Sequence, residues 1–289
     1  MKKHPVFVTK ASGEQAPFRE EKLRRSLQRS GAGGEAIEAV LEEIKGMLYS
    51  GISTKKIYQT AFRLLKKSSG ATAARYKLKR AIMELGPSGY PFEQFVGEIL
   101  RFQGYKIQVA VIVQGYCVTH EVDVVAEKDD KHFMIECKYH NHQGNISDVK
   151  VPLYIHSRFL DVEKNWKAQH GHEQKFHQGW IVTNTRFSAD ALQYGKCAGL
   201  HLVAWDYPEK GSLKDWIDES GLYPVTCLTT LTNREKQLLL QKKIVLCKDI
   251  HNNRQALKSA GMNDARMQRI MSECAMLCEK MNHNLNRLK

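Results

Sequence analysis

The chain has 289 residues and carries 44 Lys and Arg against 31 Asp and Glu, a formal net charge of +13. That length suits two or three domains with ample core, and no apolar run approaches the ~18–20 residues that a membrane span needs, so no membrane partner is expected. Seven cysteines without a Cys-x-x-Cys pair fit a reducing compartment better than a disulfide framework, and Met1-Lys-Lys-His-Pro5 leads into no hydrophobic signal core, so a cytoplasmic location is expected.

The charge is uneven. Residues 1–89 carry 18 basic and 8 acidic side chains, residues 90–210 carry 13 and 15, and residues 211–289 carry 13 and 8. A polyanion is drawn to such basic flanks, and an acidic middle can hold cations. A basic surface also serves solubility alone.

In chain order, Pro5–Lys10 reads as a short strand, Ala11-Ser-Gly13 as a turn and Gln15–Phe18 as its partner. Helical periodicity starts at Arg19, with Phe18, Leu23 and Leu27 on one face, and continues on a second helix through Ile37, Val40, Leu41, Ile44 and Leu48. Gly51-Ile-Ser53-Thr54 breaks and recaps the chain ahead of a third helix through Ile57, Ala61, Leu64 and Leu65. A fourth helix, Arg75–Leu85, ends at the linker Gly86-Pro-Ser-Gly89.

This β-hairpin with helices resembles the ATP-cone domain of ribonucleotide reductases and their transcriptional repressor. The resemblance is carried by Val8-Thr-Lys10, Ser12-Gly13, Phe18, Glu21-Lys22-Leu23, Ser53-Thr54 and Arg75-Tyr76. It implies an adenine-nucleotide site, for ATP or dATP as effector, contacted by Val8, Lys10, Lys22 and Thr54. Lysines and a helix N-terminus are reasonable phosphate partners. The alternative is a small basic helical domain that docks something else.

The middle of the chain opens at Tyr90 with a helix that carries Phe92, Phe95, Val96, Ile99 and Leu100 on one stripe and stops at Gly104. At 100° per residue Glu93 lies at the edge of that stripe, able to reach a site beside a sheet, while Glu98 lies on the far side. Tyr105–Val111 reads as a strand. His120–Tyr139 then gives two apolar segments, Val122–Ala126 and Phe133–Cys137, about a polar Glu127-Lys-Asp-Asp-Lys131 tip, the pattern of a β-hairpin. Alternation on the second strand puts Met134, Glu136, Lys138 and His140 on one face, beside Asp123 of the first strand. Two carboxylates can hold a hard divalent cation, and a lysine can orient a water attacking a phosphate. The plain alternative is a solvated face with a weak ion pair.

The hairpin resembles the PD-(D/E)xK nuclease signature, with Val122-Asp123 for its first part, valine standing in place of proline, and Glu136-Cys137-Lys138 for its second. A polar, histidine-rich insertion (His156, His170, His172, His177) follows, then a strand at Trp180–Thr183, a helix through Ala191 and Tyr194, and a strand at Leu200–Trp205. The order resembles a restriction-endonuclease-like α/β core. The particular resemblance is to Mrr-type endonucleases, through Phe92-Glu93 with Gly104-Tyr105, Glu136-Cys-Lys138-Tyr139, and Ile181-Val-Thr183 with Phe187-Ser188. It implies Glu93, Asp123, Glu136 and Lys138 as catalytic residues. Mg2+ or Mn2+ would be held by Asp123, Glu136 and the carbonyl of Cys137, with Glu93 direct or through water.

From Gly211 the chain reads as small helices: a capping box Thr232-Asn-Arg-Glu235, a strand or buried turn at Ile244–Cys247, and two helices, Gln255–Ala260 and Ala265–Met281, about Gly261-Met-Asn263. They loosely resemble helix-turn-helix or helix-hairpin-helix elements and equally fit a plain bundle.

The combined expectation is a multidomain protein: a mostly α ATP-cone at 1–88, an α/β restriction-endonuclease-like core at 89–210 and a basic helical region at 211–289. The expected function is a metal-dependent endonuclease acting on nucleic acid, DNA in the first instance, under adenine-nucleotide control and able to form a homo-oligomer. A non-cleaving, nucleotide-responsive DNA-binding regulator and a resolvase-like enzyme are the alternatives.

Overall fold

The computed structural model describes residues 5–169 and 176–287. Its contacts divide the chain into two compact units, one of residues 1–82 with 223–280 and one of residues 83–222 with 281–289. The basic C-terminal segment thus shares a unit with the N-terminal segment instead of forming a body of its own.

The N-terminal segment begins with strands β1 (Phe7–Thr9) and β2 (Gln15–Pro17), followed by helices α1 (Glu20–Arg29) and α2 (Gly34–Met47). A two-residue strand, β3 (Ile52–Ser53), leads into α3 (Thr54–Ser68), and α4 (Gly70–Tyr76) and α5 (Leu78–Met83) follow. β1 pairs antiparallel with β2 and parallel with β3, with Val8 opposite both Ala16 and Ile52. Strand β3 is too short to have left a periodic signal. Leu27, Leu41, Ile44, Ala61 and Leu65 form the buried centre. The expected single helix over 75–85 starts earlier and is split. Ser69 caps α4 by accepting the Thr72 amide, and Lys77 lies between the two helices.

The second unit starts with α6 (Tyr90–Phe102) and the long strands β4 (Lys106–Gln114), β5 (Thr119–Lys128) and β6 (Lys131–Lys138). Gly104, at φ +89°, ends α6 in the left-handed conformation that suits glycine. Asp129 and Asp130 both have positive φ, at 51° and 56°, so β5 and β6 are joined by a two-residue turn of the primed kind. Next come β7 (Ile146–Ser147), α7 (Lys150–Lys167), β8 (Phe176–Thr183), β9 (Arg186–Phe187), α8 (Ala189–Cys197), β10 (His201–Val203) and α9 (Leu213–Ser220). The main sheet has the order β10-β8-β6-β5-β4. β4, β5 and β6 form an antiparallel meander, and β6, β8 and β10 run parallel. Helix α6 lies close on β4. A Cβ added at Gly97 would come within 3.0 Å of Val109 and 3.1 Å of Ile107.

Much of the stretch expected as a polar insertion is α7, which buries Ile155, Phe159, Val162 and Trp166 at helical spacing. His156 lies on α7 and hydrogen-bonds Tyr194 at 2.8 Å, and His177 is buried on β8. His170 and His172 lie outside the described residues.

The C-terminal segment holds α10 (Asn233–Gln241), α11 (Cys247–Asn252), α12 (Arg254–Ser259) and α13 (Asp264–Arg287). The capping box at Thr232 and Glu235 is present in full. Within its unit the segment is joined to the N-terminal helices by polar bonds, the two at Thr226 buried and the one at Met276 exposed. Lys77 Nζ donates to the Thr226 carbonyl at 2.9 Å, Thr226 Oγ1 to the Ala81 carbonyl at 2.7 Å, and Arg75 Nη2 to the Met276 carbonyl at 2.8 Å. Among the described residues no helix is long and apolar enough to cross a membrane.

Glu273 is buried at 3% exposure, and its carboxylate accepts the amides of Thr229 and Thr230 and the Thr230 hydroxyl at 2.6–3.0 Å. Truncation removes the buried acceptor of two amides and a hydroxyl in a part-buried turn. Glu273→Ala is therefore expected to lower stability by about 2–4 kcal/mol, read as a reduced urea midpoint.

Candidate active site

The hairpin β5–β6 opens where its acidic residues lie. Val125 pairs with Met134 and Val124 with Ile135, and the ladder ends there. Continuing that register would set Asp123 opposite Glu136. Instead the Cys137 amide donates to Asp123 Oδ2 at 2.7 Å, a side-chain carboxylate taking the place of a backbone carbonyl. The other side of β5 is interrupted at the same level. Val109 pairs with Val124 and Val111 with Val122, while Ala110, across from Asp123, drops out of the pairing. Ala110 has φ 54°, a left-handed conformation uncommon for a residue with a Cβ.

The strand end carrying Lys138 is fixed from β8. Thr183 Oγ1 donates to the Lys138 carbonyl at 2.8 Å. The buried Asn184 amide clamps His140 in both senses, accepting its N–H and donating to its carbonyl, each at 2.8 Å. Tyr139 ties this end to the approach of α6: its hydroxyl donates to the Met83 carbonyl and accepts the Gly86 amide, both at 2.7 Å. Its ring packs against Phe92 at 5.7 Å, one residue before Glu93. The helix N-terminus that bears Glu93 is thereby set beside the opened hairpin.

The charges interact. Burial raises the Glu93 carboxyl to about 7, and the neighbouring charges of Asp123, Glu121 and Glu136 push it the same way. Glu136 is also raised to about 7, first by burial and then by Asp123, against the opposing pull of Arg158 and Lys138. Asp123 is raised by burial, held back by the Cys137 amide and then Arg158. Four carboxylates, Glu93, Glu121, Asp123 and Glu136, thus share one field with Lys138 and Arg158. Glu98 pairs with Arg101.

Arg158 and Glu121 were not singled out from sequence. Arg158 reaches across from α7, with Nη1 2.7 Å from Glu136 Oε2 and Nη2 on the Glu121 carbonyl. The signal of Arg158 was obscured because its segment read as an insertion, whereas Glu121 lies within the hairpin itself, two residues before Asp123. Among the described residues, no group of three or more His, Cys, Asp or Glu side chains is gathered as a metal cage. The donor chemistry nevertheless suits a hard cation, being oxygen throughout, and a guanidinium already neutralises Glu136.

The residues singled out for nucleotide lie in the other unit. Val8 is buried on β1, and Lys10 follows that strand and pairs with Glu14 at 2.8 Å. Thr54 opens α3 directly after Ser53, which pairs with Thr9 and caps the helix through the Lys56 amide. The ends that bear Lys10 and Thr54 are therefore adjacent strand ends. Lys22 lies in the first turn of α1.

The mixed five-stranded sheet, with an amphipathic helix before its meander and a crossover helix after it, defines a restriction-endonuclease-like domain. Residues 86–209 match the family model described as restriction endonuclease, of the Mrr catalytic type, and residues 223–278 match the model described as AF1548-like, C-terminal. A protein of Archaeoglobus fulgidus, described only as uncharacterized, is 37% identical over 179 residues, which is 62% of this chain and 97% of that relative. A crystal structure described as AF1548, a protein of unknown function, is similar at a TM-score of 0.54 and 35% identity, covering 66% of this chain and 98% of that one. The chain belongs to the AF1548-like family. The matched segments begin at residue 86, so the ATP-cone resemblance of residues 1–85 rests on their own residues.

The raised carboxyls give a pH dependence with a definite sign. Glu93 and Glu136 hold protons more tightly in the folded chain, at about 7, than at their ordinary 4.5. The contribution of these two groups to stability in metal-free buffer is therefore lost as pH rises from about 4.5 through about 7, while His140 and His201, whose imidazoles are lowered by burial, act in the opposite direction. Glu93→Gln is expected to reduce that loss, measured as urea midpoints across the range.

Proposed function

We propose that this protein is a metal-dependent endonuclease that hydrolyses phosphodiester bonds of DNA, with adenine nucleotide acting as effector through residues 1–88. The observation that carries the reading is the opened hairpin. Asp123, Glu136 and Lys138 stand where β5 and β6 part, with Glu93 in the same electrostatic field, in a domain that matches restriction endonucleases.

Asp123, Glu136 and the carbonyl of Cys137 would hold Mg2+ or Mn2+, with Glu93 direct or through water. When bound, such an ion supplies charge stabilisation at the phosphate and a water acidified toward neutrality. The protein residues have separable tasks. The Cys137 amide orients the Asp123 carboxylate. Glu93, in the first turn of α6, would hold the ion or one of its waters through its carboxylate. Lys138 follows Glu136 by two positions on β6; its ammonium orients the attacking water and stabilises negative charge as it grows on the phosphate.

Lys138→Ala is expected to abolish cleavage of supercoiled plasmid in Mg2+ while DNA affinity and folding stay close to wild type, because its charge is needed mostly as the transition state forms. Asp123→Asn and Glu136→Gln are expected to lose Mn2+ binding and cleavage together. If Lys138 only decorated a solvated strand face, its removal would change stability by ~0–1 kcal/mol and leave the activity alone; full cleavage by Lys138→Ala rejects this active site.

For the effector, calorimetry with ATP and dATP is expected to give binding to the wild-type chain and loss of it in a Lys10→Ala, Lys22→Ala double variant, with a shift in assembly state on saturation. Equal heats for both proteins, or none for either, remove the nucleotide site.

A further inference from the structure

The side chain of Arg158 is set apart from the other basic residues by where it is held. Helix α7 lies along the β4–β5 hairpin through polar contacts at helical spacing. Asp161 accepts the Cys117 amide at 2.7 Å and meets His120 Nε2 at 2.8 Å, and Asn165 donates to the Gln114 carbonyl at 2.8 Å. These residues dock the helix. Arg158, one turn before Asp161, serves the docking with one nitrogen only, through the Glu121 carbonyl. Its other terminal nitrogen sits 2.7 Å from Glu136. The pair is largely enclosed, with 12% and 19% of the two side chains exposed, and the exposed ring of Tyr154 flanks the guanidinium at 5.5 Å.

Glu136 is thus engaged by a fixed cation at the carboxylate the proposed function assigns to a divalent ion. Two positive groups cannot share one carboxylate closely without strong repulsion in a partly buried site. Release of Nη1 from Glu136 would not free the side chain, because Nη2 retains a backbone anchor. A guanidinium held this way keeps an unused donor beside the carboxylates. Its planar fork matches phosphate geometry better than any other side chain.

We propose that Arg158 is a substrate-binding residue that occupies Glu136 in the metal-free protein, yields it to a divalent cation, and then binds a phosphate of the nucleic acid next to the one cleaved. This rests on the metal-dependent nuclease reading and adds to it a competition and a substrate contact. The two effects have opposite signs, which separates them from a purely structural role, since a loosened site would weaken both ligands.

The test uses the full chain with Arg158→Ala and Arg158→Lys. Mn2+ affinity is measured by calorimetry, and affinity for a fluorescent DNA duplex by anisotropy in Ca2+. Arg158→Ala is expected to bind Mn2+ more tightly than wild type. It should bind duplex about tenfold or more weakly, the loss of one charge-assisted bond, with the slope of log affinity against log salt reduced by about 1. Arg158→Lys keeps the charge without the fork, so its Mn2+ affinity should stay near wild type while duplex affinity falls. Mn2+ binding that is unchanged or weaker in Arg158→Ala overturns the competition, and an unchanged salt slope overturns the phosphate contact. If Arg158→Ala does not fold, Arg158→Lys decides: an Mn2+ affinity raised well above wild type, or an unaltered duplex affinity, overturns the proposal. Asp123→Asn and Glu136→Gln run alongside. Unchanged Mn2+ affinity in those variants rejects the metal site itself, whereas its loss there with no effect at Arg158 rejects only this inference.

Discussion

The Cys137 amide gives its hydrogen to the Asp123 carboxylate rather than to the backbone of β5, and the arrangement of the acidic residues depends on that exchange. In an unbroken antiparallel ladder Asp123 and Glu136 would be cross-strand neighbours, a like-charge pairing that destabilises a sheet. Parting the strands removes the direct opposition. A charged acceptor also returns more to the amide than a carbonyl would. The interruption extends to β4, where Ala110 takes a left-handed conformation at the same level. Strain of this kind costs about 1–3 kcal/mol and persists only where the surroundings enforce it. Here the surroundings are the long pairings on either side, which resume at Val109–Val124 and Val111–Val122.

An opened hairpin would be a loose one if nothing held its ends. The parallel strand β8 supplies the hold, pairing with β6 along its length from Lys131 to Lys138. Thr183 and Asn184 extend that grip past the ladder onto the Lys138 and His140 backbone. The freedom on the β5 side is thus matched by fixation on the β8 side. Tyr139 then passes the fixed position to the segment before α6 through its hydroxyl. The placement of Glu93 follows from this chain of short bonds more than from the helix itself.

The parts of this arrangement that repeat with a period were legible in the sequence. Alternation on β6 put Glu136 and Lys138 on one face, and the apolar stripe of α6 put Glu93 at its edge. The break in the ladder was not legible, because periodicity fixes which face a residue takes and not where pairing stops. Arg158 escaped because its partner is 22 positions away and its helix carries enough polar residues to read as a polar insertion. The union of the two chain ends in one unit was hidden for the same reason. Its joining bonds, such as Lys77 to Thr226, span 149 positions and involve carbonyls, which no side-chain pattern records. Composition marked the two ends as alike in charge without saying that they pack together.

That packing changes the meaning of the charge distribution. Residues 1–82 carry 18 basic and 7 acidic side chains and residues 223–280 carry 10 and 5, so their common unit has a formal charge of +16. The whole chain is +13, which leaves the unit bearing Asp123 and Glu136 at −3. A polyanion is therefore attracted by one unit and mildly repelled by the other. At the acidic residues themselves the local field is negative, since neighbouring carboxylates add to burial in raising Glu93 and Glu136. A phosphate can approach those carboxylates only with compensating positive charge at the same place. Lys138 and Arg158 supply two such charges, and one of the two is already committed to Glu136. For the proposed chemistry the remaining deficit falls to a divalent ion, so long-range attraction and local neutralisation are divided between different parts of the molecule.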